Sequence, residues 1–283
     1  MATVDDEQDL VAGERDLTRK QRREQAREQR REAELAAAQA QTRRTRLLQL
    51  GGVLGVVVVI IVVILVATGG GSSTPGPVKK GSAKESKLVS QVKGLLSGIP
   101  ESGNALGATS APVTLVYFGD LQCPFCGEFS RTALNQLIER DVRPGKLRIE
   151  FRNLETATHE PEVFRAQQIA AMAAGKQNLG WYYIELFYRQ QSQENSGYVN
   201  EAFLRSLAQQ IPGLNTAAWL AARSDPEYTT QITTDAQAAN NAGFTGTPGF
   251  QIGRTGGALK KLEYESLTDP AAFEKAVESL AKA

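Results

Sequence analysis

Cysteine and histidine are scarce in this 283-residue chain, which has two cysteines, Cys123 and Cys126, and one histidine, His159. A structural zinc site needs four ligands, so this supply disfavours zinc, and no metal is predicted. Proteins stapled by disulfides spread their cysteines to close long loops, but only two residues separate this pair. The pair is therefore predicted to do redox chemistry, with half a zinc site or a purely structural disulfide as alternatives. His159 is predicted to be a surface or capping residue.

Excess charge is also absent, because 32 basic residues nearly balance 31 acidic ones and the net charge is +1. Nucleic-acid binding draws most of its affinity from clustered positive charge, so no nucleic-acid partner is predicted. Apolar residues make up 41% of the chain, which suffices for a sizeable hydrophobic core.

Residues 47–67 are an uncharged run of 21 residues. As a helix rising ~1.5 Å per residue, this run would span roughly 30 Å, the thickness of a bilayer core. A buried helix or a cleaved signal peptide would be the alternatives, but 46 preceding residues fit a signal peptide poorly. The run is predicted to be a transmembrane helix.

The flanking charges predict the orientation of this helix. Arg43, Arg44 and Arg46 precede it, whereas the first charge after it is Lys79. The positive-inside rule then leaves residues 1–46, a charged arm, in the cytoplasm and the rest of the chain outside. Residues 68–86 are rich in Gly, Ser, Pro and Lys and are predicted to be a flexible linker. The predicted protein is thus a single-pass protein of the cell membrane, with residues 87–283 as an extracytoplasmic domain.

The pattern of residues 87–283 predicts an α/β domain. Residues 113–118 are an apolar run typical of a strand buried on both faces, and residues 146–152 alternate as a strand with one wet face. A helix is predicted between them, to about Arg140. Residues 161–242 have helical spacing, with Asn200 as an N-cap. Two strands (249–252 and 259–264, joined by a turn over 253–257) and a helix starting at Asp269-Pro270 complete the order.

Cys123 and Cys126 lie between the first predicted strand and the start of a helix. Unpaired N–H groups and the positive end of the helix dipole stabilise an anion there, which lowers the pKa of a thiol. Cys123, predicted at the exposed end, would attack a substrate disulfide, and Cys126, one turn inward, would resolve the mixed disulfide. Pro124 suits the first helical turn, where its missing N–H is not needed.

Two segments resemble the DsbA-like disulfide oxidoreductases of the thioredoxin superfamily. They are residues 111–126 (Ala-Pro-Val-Thr-Leu-Val-Tyr-Phe-Gly-Asp-Leu-Gln-Cys-Pro-Phe-Cys) and residues 246–250 (Gly-Thr-Pro-Gly-Phe). The resemblance implies a thioredoxin-like fold with a helical domain inserted over about 161–242. It also implies that the peptide bond between Thr247 and Pro248 is cis and that these two residues bind the substrate. Pro124 and Phe125 would tune the reactivity of the thiols, and no cofactor is expected.

Two positions depart from this family's pattern. Phe125 stands where the best-known members have His, and Tyr117 stands where many have a buried acid. Tyr117 cannot accept a proton as a carboxylate does. Asp120 would either substitute for that acid or cap the turn before Cys123, and capping is the favoured interpretation.

The predicted function is an oxidase that introduces disulfides into exported proteins through the Cys123–Cys126 pair. The resemblance implies a quinone-linked membrane partner that reoxidises the pair. A disulfide reductase or isomerase of the same fold is one alternative, since the reduction potential decides the direction. A non-catalytic thioredoxin-like binding module is another.

Overall fold

The structure, a computed structural model, describes residues 78–79 and 81–282. The predicted arm (1–46), the predicted transmembrane helix (47–67) and most of the predicted linker (68–86) lie outside these residues. Within the part that is described, no helix is both long enough and apolar enough to cross a membrane.

A six-stranded mixed sheet forms the centre of the domain, with the strand order β1-β2-β4-β3-β5-β6. β3 and β4 are parallel, and the other neighbouring strands are antiparallel. The strands are β1 (Glu101–Ser102), β2 (Ala105–Leu106), β3 (Val113–Gly119), β4 (Leu147–Asn153), β5 (Gly249–Arg254) and β6 (Lys260–Lys261). The helices are α1 (Ala83–Leu96), α2 (Pro124–Arg131), α3 (Ala133–Leu137), the π-helical turn Ile138–Val142, α4 (Pro161–Gly175), α5 (Gly180–Arg189), α6 (Glu201–Gln210), α7 (Thr216–Ala222), α8 (Glu227–Asn241) and α9 (Ala271–Lys282).

The two predicted strands at the centre of the sheet are confirmed. Every residue of β3 is buried, because β3 lies between β4 and β5 and both of its faces are covered. In β4 buried residues alternate with partly exposed ones, as the apolar–polar pattern predicted. The parallel β3–β4 pair brings the ends of both strands, Gly119 and Asn153, to the same edge of the sheet.

The helical block between β4 and β5 is also confirmed, as α4 to α8. The Asn200 side chain accepts a hydrogen bond from the N–H of Phe203, so this residue is an N-cap. The aromatic face of α5, with Trp181, Phe187 and Tyr188, is fully buried and belongs to the same hydrophobic core as β3. The inserted helices therefore share one core with the thioredoxin-like part.

Three predicted boundaries differ from the structure. Helix α1 begins at Ala83, inside the predicted linker, because the Ser82 hydroxyl caps it by accepting from the N–H of Glu85 at 3.1 Å. Val78 is already buried, and its N–H donates to the Gln190 side chain. The helix predicted to reach about Arg140 is interrupted: α2 ends at Arg131, where the Thr132 backbone leaves the helical region (φ −123°, ψ −93°), and α3 and the π-helical turn continue to Val142.

The predicted last strand is the third difference, because β6 has only two exposed residues, Lys260 and Lys261. The glycine-rich turn is also shorter than predicted, since Gly253 and Arg254 still pair with β3. An exposed edge strand gains little from burial, which explains why its apolar pattern overestimated its length.

Gly119, at the end of β3, lets two aromatic side chains approach the backbone. A Cβ atom at this position would lie 2.6 Å from a ring carbon of Phe151 and 3.1 Å from the hydroxyl oxygen of Tyr188. We expect Gly119→Ala to lower the free energy of unfolding by about 1–3 kcal/mol through overpacking. Gly94→Ala in α1 is the control: its Cβ would meet open space, so it should raise stability by about 0.5–1 kcal/mol. Urea unfolding measures both, and an unchanged midpoint for Gly119→Ala would contradict this packing.

Candidate active site

The Cys123-Pro124-Phe125-Cys126 segment forms the start of α2, as predicted. Cys123 is the N-cap residue, and its Sγ accepts a hydrogen bond from the N–H of Cys126 at 3.4 Å. Pro124 occupies the first turn, where its lack of an N–H costs no hydrogen bond. The backbone N–H of Cys123 donates to the carbonyl of Asp120 at 3.0 Å, which fixes the turn between β3 and the helix.

Cys123 is more covered than the sequence predicted. It was expected at the exposed end of the helix, but only 3% of the residue is exposed. The chain segment at Thr247 covers it, since the Cys123 Sγ lies 3.3 Å from the Thr247 carbonyl oxygen. Phe125 is the exposed residue of the motif, at 59%. Cys126 is fully buried one turn further in, and both cysteines are free thiols.

The environments of the two thiols shift their pKa values in opposite directions. The pKa of Cys123 is lowered to about 7, mainly by a hydrogen bond with the Cys126 side chain. Burial acts in the opposite direction. Hydrogen bonds with the Thr247 side chain and with backbone N–H groups lower the pKa further. Burial is the main cause that raises the pKa of Cys126 well above its ordinary value, and the neighbouring Cys123 adds to it. Near neutral pH, Cys123 is therefore the thiol that ionises, while Cys126 keeps its proton.

Thr247 and Pro248 lie directly against this thiol pair. The peptide bond between them is cis, as the resemblance implied. The Thr247 hydroxyl lies 2.6 Å from the Thr156 hydroxyl, and the Tyr264 hydroxyl donates to the Pro248 carbonyl at 3.1 Å. The structure thus brings together all the residues that the sequence singled out at both signatures. Their role in substrate binding stays a prediction.

Asp120 organises the loops around the site. Its carboxylate is fully buried. One oxygen accepts from the N–H of Gln122, the Thr158 hydroxyl and the Gln167 amide, and the other accepts from three successive N–H groups over residues 156–158. The interpretation as a cap is therefore confirmed, and the same carboxylate also holds the segment that carries Thr156.

Tyr117, which occupies the position of the family's buried acid, lies beside Cys126. Its hydroxyl is 3.5 Å from the Cys126 carbonyl oxygen and donates to the Tyr188 hydroxyl at 3.1 Å. The Tyr188 hydroxyl in turn donates to the carbonyl of Asp120 at 3.4 Å. Burial raises the pKa of both tyrosines well above its ordinary value, so both remain protonated.

Four residues of the site were not found from the sequence: Thr156, Tyr188, Gln191 and Tyr264. Gln191 follows α5, and its amide donates to the carbonyls of Leu121 at 2.7 Å and Cys123 at 3.0 Å. No linear motif marks these residues, because each is far from the cysteines in the chain and reaches them only through the fold. His159 is exposed, and its N–H donates to the Asn195 side chain.

Comparisons with known proteins agree with this architecture. Residues 101–278 match the family described as Thioredoxin. The "Probable disulfide bond formation protein D" of Bacillus anthracis is 23% identical over 163 residues, which are 58% of this chain and 74% of that protein. The crystal structure of oxidised BdbD from Bacillus subtilis matches with a TM-score of 0.54 at 20% identity and covers 67% of this chain and 99% of that one. For α-DsbA1 from Wolbachia pipientis the TM-score is 0.52 at 19% identity, covering 66% and 92%. The similarity to the two structures shows the thioredoxin-like fold.

The difference between the two thiols can be tested by alkylation of the reduced protein with iodoacetamide at pH 5–10. We expect the rate at Cys123 to follow a titration with a midpoint at about 7, and Cys126 to react far more slowly. Cys126→Ala removes the main hydrogen bond that lowers the pKa of Cys123, so the midpoint should rise. Cys126→Ser keeps a hydroxyl donor and is the matched control with a smaller rise. Equal midpoints in all three proteins would show that Cys126 does not stabilise the thiolate.

Proposed function

The chain belongs to the thioredoxin family and is a thiol–disulfide oxidoreductase, and we propose that it is an extracytoplasmic oxidase of exported proteins. In the oxidised protein, a substrate thiolate attacks the Cys123 Sγ, the bond between Cys123 and Cys126 breaks, and its electron pair passes to Cys126. A second substrate thiolate then attacks the substrate's own sulfur in the mixed disulfide and expels the Cys123 thiolate. The substrate loses two electrons and forms its disulfide, and the protein is left with two reduced cysteines.

The observation that carries this proposal is the position of Cys123 at the N-cap of α2, where its sulfur accepts a hydrogen bond from the N–H of Cys126 at 3.4 Å and a thiolate is stabilised. A thiolate that the folded protein stabilises makes the reduced form more favourable, and a protein with a favourable reduced form is a stronger oxidant. A low thiol pKa also makes Cys123 a good leaving group when the substrate disulfide forms. Both effects act in the direction of substrate oxidation, and the reduction potential of the pair decides the outcome.

Two residues beside Cys123 support the predicted position of the substrate. Thr247 is half-buried and contacts Cys123 directly, so an extended substrate backbone laid along residues 247–248 would place its cysteine at the Cys123 sulfur. The exposed ring of Phe125 lies two residues after Cys123 in the chain and offers apolar surface to a substrate that is not yet folded. The substrate would thus make apolar contacts with Phe125 and backbone hydrogen bonds along Thr247.

The charge pattern of residues 43–79 supports a membrane anchor and an extracytoplasmic site. Disulfides persist in oxidising compartments, so an oxidase of exported proteins has to act outside the cytoplasm. After each turnover the reduced pair must lose two electrons. A quinone-linked membrane protein would accept them, and an anchored oxidase would remain close to such a partner.

The direction of electron flow can be tested from the stability of the two redox forms of the full chain. The thiolate of Cys123 stabilises the folded reduced form once the pH exceeds the pKa of this thiol in the folded state, and the contribution is complete above its pKa in the unfolded state. With a pKa of about 7 in place of the ordinary 9.0, this contribution is absent below pH 6, grows as the pH rises from 7 to 9, and is on the order of 2 kcal/mol at its largest. We expect the free energy of unfolding of the reduced form, minus that of the oxidised form, to increase over pH 6–8.5.

Cys123→Ala is the control for this measurement, because the reduced variant retains the fold and loses the thiolate. Its stability should show no such rise with pH. If the oxidised wild type were the more stable form throughout and the difference did not change with pH, the protein would be a reductase.

Reporter fusions test the anchor. An enzyme that is active only outside the cytoplasm should be active when fused after Ala283 and inactive when fused at the N-terminus. The double variant Ile60→Arg and Ile61→Arg places two charges in the middle of the apolar run, each of which costs about 2.5–3.5 kcal/mol in a bilayer. It should abolish the activity of the C-terminal fusion. Full activity of that fusion with both arginines present would exclude residues 47–67 as the anchor.

A further inference from the structure

The hydroxyl groups of Tyr117 and Tyr188 form a pair beside Cys126, where disulfide exchange creates a buried sulfur anion. We propose that the Tyr117 hydroxyl donates a hydrogen bond to the Cys126 sulfur while that sulfur carries negative charge, and that Tyr188 positions this hydroxyl. Tyr117 is then a catalytic residue and Tyr188 a positioning residue. The inference rests on thiol–disulfide exchange and holds for an oxidase and a reductase alike.

The need for such a donor follows from the burial of Cys126. When a thiolate attacks the Cys123 Sγ, the electron pair of the broken S–S bond moves to Cys126, and in the reverse reaction Cys126 attacks as an anion. Cys126 is fully buried, and burial is the main cause that raises its pKa. A charge in such a place is costly unless a hydrogen bond compensates for it. The exchange rate in both directions therefore depends on what stabilises this anion.

The buried carboxylate that precedes the cysteine motif is not available for this task. Asp120 uses both of its carboxylate oxygens to accept hydrogen bonds from the loops around the site. A further ionised carboxylate beside Cys126 would also repel the sulfur anion. A phenol that remains protonated is a donor throughout the reaction, and the raised pKa of Tyr117 keeps it so.

The geometry allows the hydrogen bond to form by rotation of two hydroxyl groups. With Cys126 protonated, the Tyr117 hydroxyl donates to Tyr188 at 3.1 Å, and Tyr188 donates to the carbonyl of Asp120 at 3.4 Å. The Tyr117 hydroxyl oxygen lies 3.5 Å from the Cys126 carbonyl oxygen, and after the backbone of Asp120 this hydroxyl is the second group that lowers the pKa of Cys126 against the larger effect of burial. When the sulfur becomes an anion, Tyr117 turns its hydrogen to the sulfur. Tyr188 can then turn its own hydrogen to the Tyr117 oxygen, which strengthens the donor.

The surrounding packing keeps this pair in place. Tyr117 stacks on Phe250 at a centroid distance of 5.3 Å and meets the edges of Phe129 and Phe151. The missing side chain of Gly119 leaves room for the Tyr188 hydroxyl, which would lie 3.1 Å from a Cβ there. Tyr117 comes from β3 and Tyr188 from α5, so the sheet and the inserted helices each supply one member of the pair.

Tyr117→Phe in the full chain removes the hydroxyl and keeps the ring. The measurement is a single turnover between the protein and glutathione, followed in both directions, with the equilibrium constant taken from the same mixtures. We expect both rates to fall by about tenfold, since a hydrogen bond to a charged group is lost only where the anion exists. The equilibrium constant should stay within about twofold, because neither the disulfide nor the protonated Cys126 carries the charge.

Tyr188→Phe should slow both directions by a smaller factor, and the double variant should be no slower than Tyr117→Phe alone, because Tyr188 acts through Tyr117. The matched control is Tyr183→Phe. Tyr183 is another fully buried tyrosine of α5, but its hydroxyl donates to the Leu204 carbonyl at 3.0 Å, so its loss should leave both rates unchanged.

Several outcomes would overturn the proposal. Wild-type rates for Tyr117→Phe would remove Tyr117 from the reaction. A rate change matched by a change in the equilibrium constant, or an equal slowing by Tyr183→Phe, would show that the tyrosines only support the structure. Additive effects in the double variant would show that Tyr188 does not act through Tyr117.

Discussion

The buried carboxylate of Asp120 is the constraint on which the arrangement of the site depends. Carboxyl oxygens without contact to water have to find their hydrogen-bond donors within the protein. For Asp120 these donors come from the turn before Cys123, from residues 156–158 and from Gln167 of α4. Satisfying one charge thus fixes three parts of the chain relative to one another. This arrangement sets the position of Cys123. It also sets the position of Thr156, whose hydroxyl bonds to that of Thr247, the residue that covers the Cys123 sulfur.

Within that frame, a separation of two residues gives the two thiols opposite properties. Cys123 precedes the helix and receives hydrogen bonds from the first turn, whereas Cys126 lies inside the turn against the aromatic core. The proton that Cys126 keeps is the main source of stabilisation for the thiolate of Cys123. The buried cysteine therefore serves both as the second redox partner and as the donor that tunes the first.

Local patterns were enough to predict the central part of this structure. The apolar run of β3, the alternation in β4 and the proline of the first turn of α2 each have a local cause, so the sequence around Cys123 predicted them. The hairpin of β1 and β2 has only two residues per strand and left no periodic signal. The low exposure of Cys123 depends on Thr247, which is 124 residues away, and no local pattern contains that contact. Likewise, the departure at Tyr117 was visible in the sequence, but its partner Tyr188 is 71 residues away and no local pattern joins the two.

The amide of Gln191 makes the cysteine motif depend on the inserted helices. It holds the carbonyls of Leu121 and Cys123 from the inserted helices, and its side chain occupies the space that the missing Cβ of Gly127 leaves beside α2. Excision of residues 161–242 would leave these two carbonyls without their donor and open a gap along the first turn. The cysteine motif of this protein therefore depends on the inserted helices. A shortened domain without residues 161–242 would retain both cysteines but lose contacts that set their reactivity.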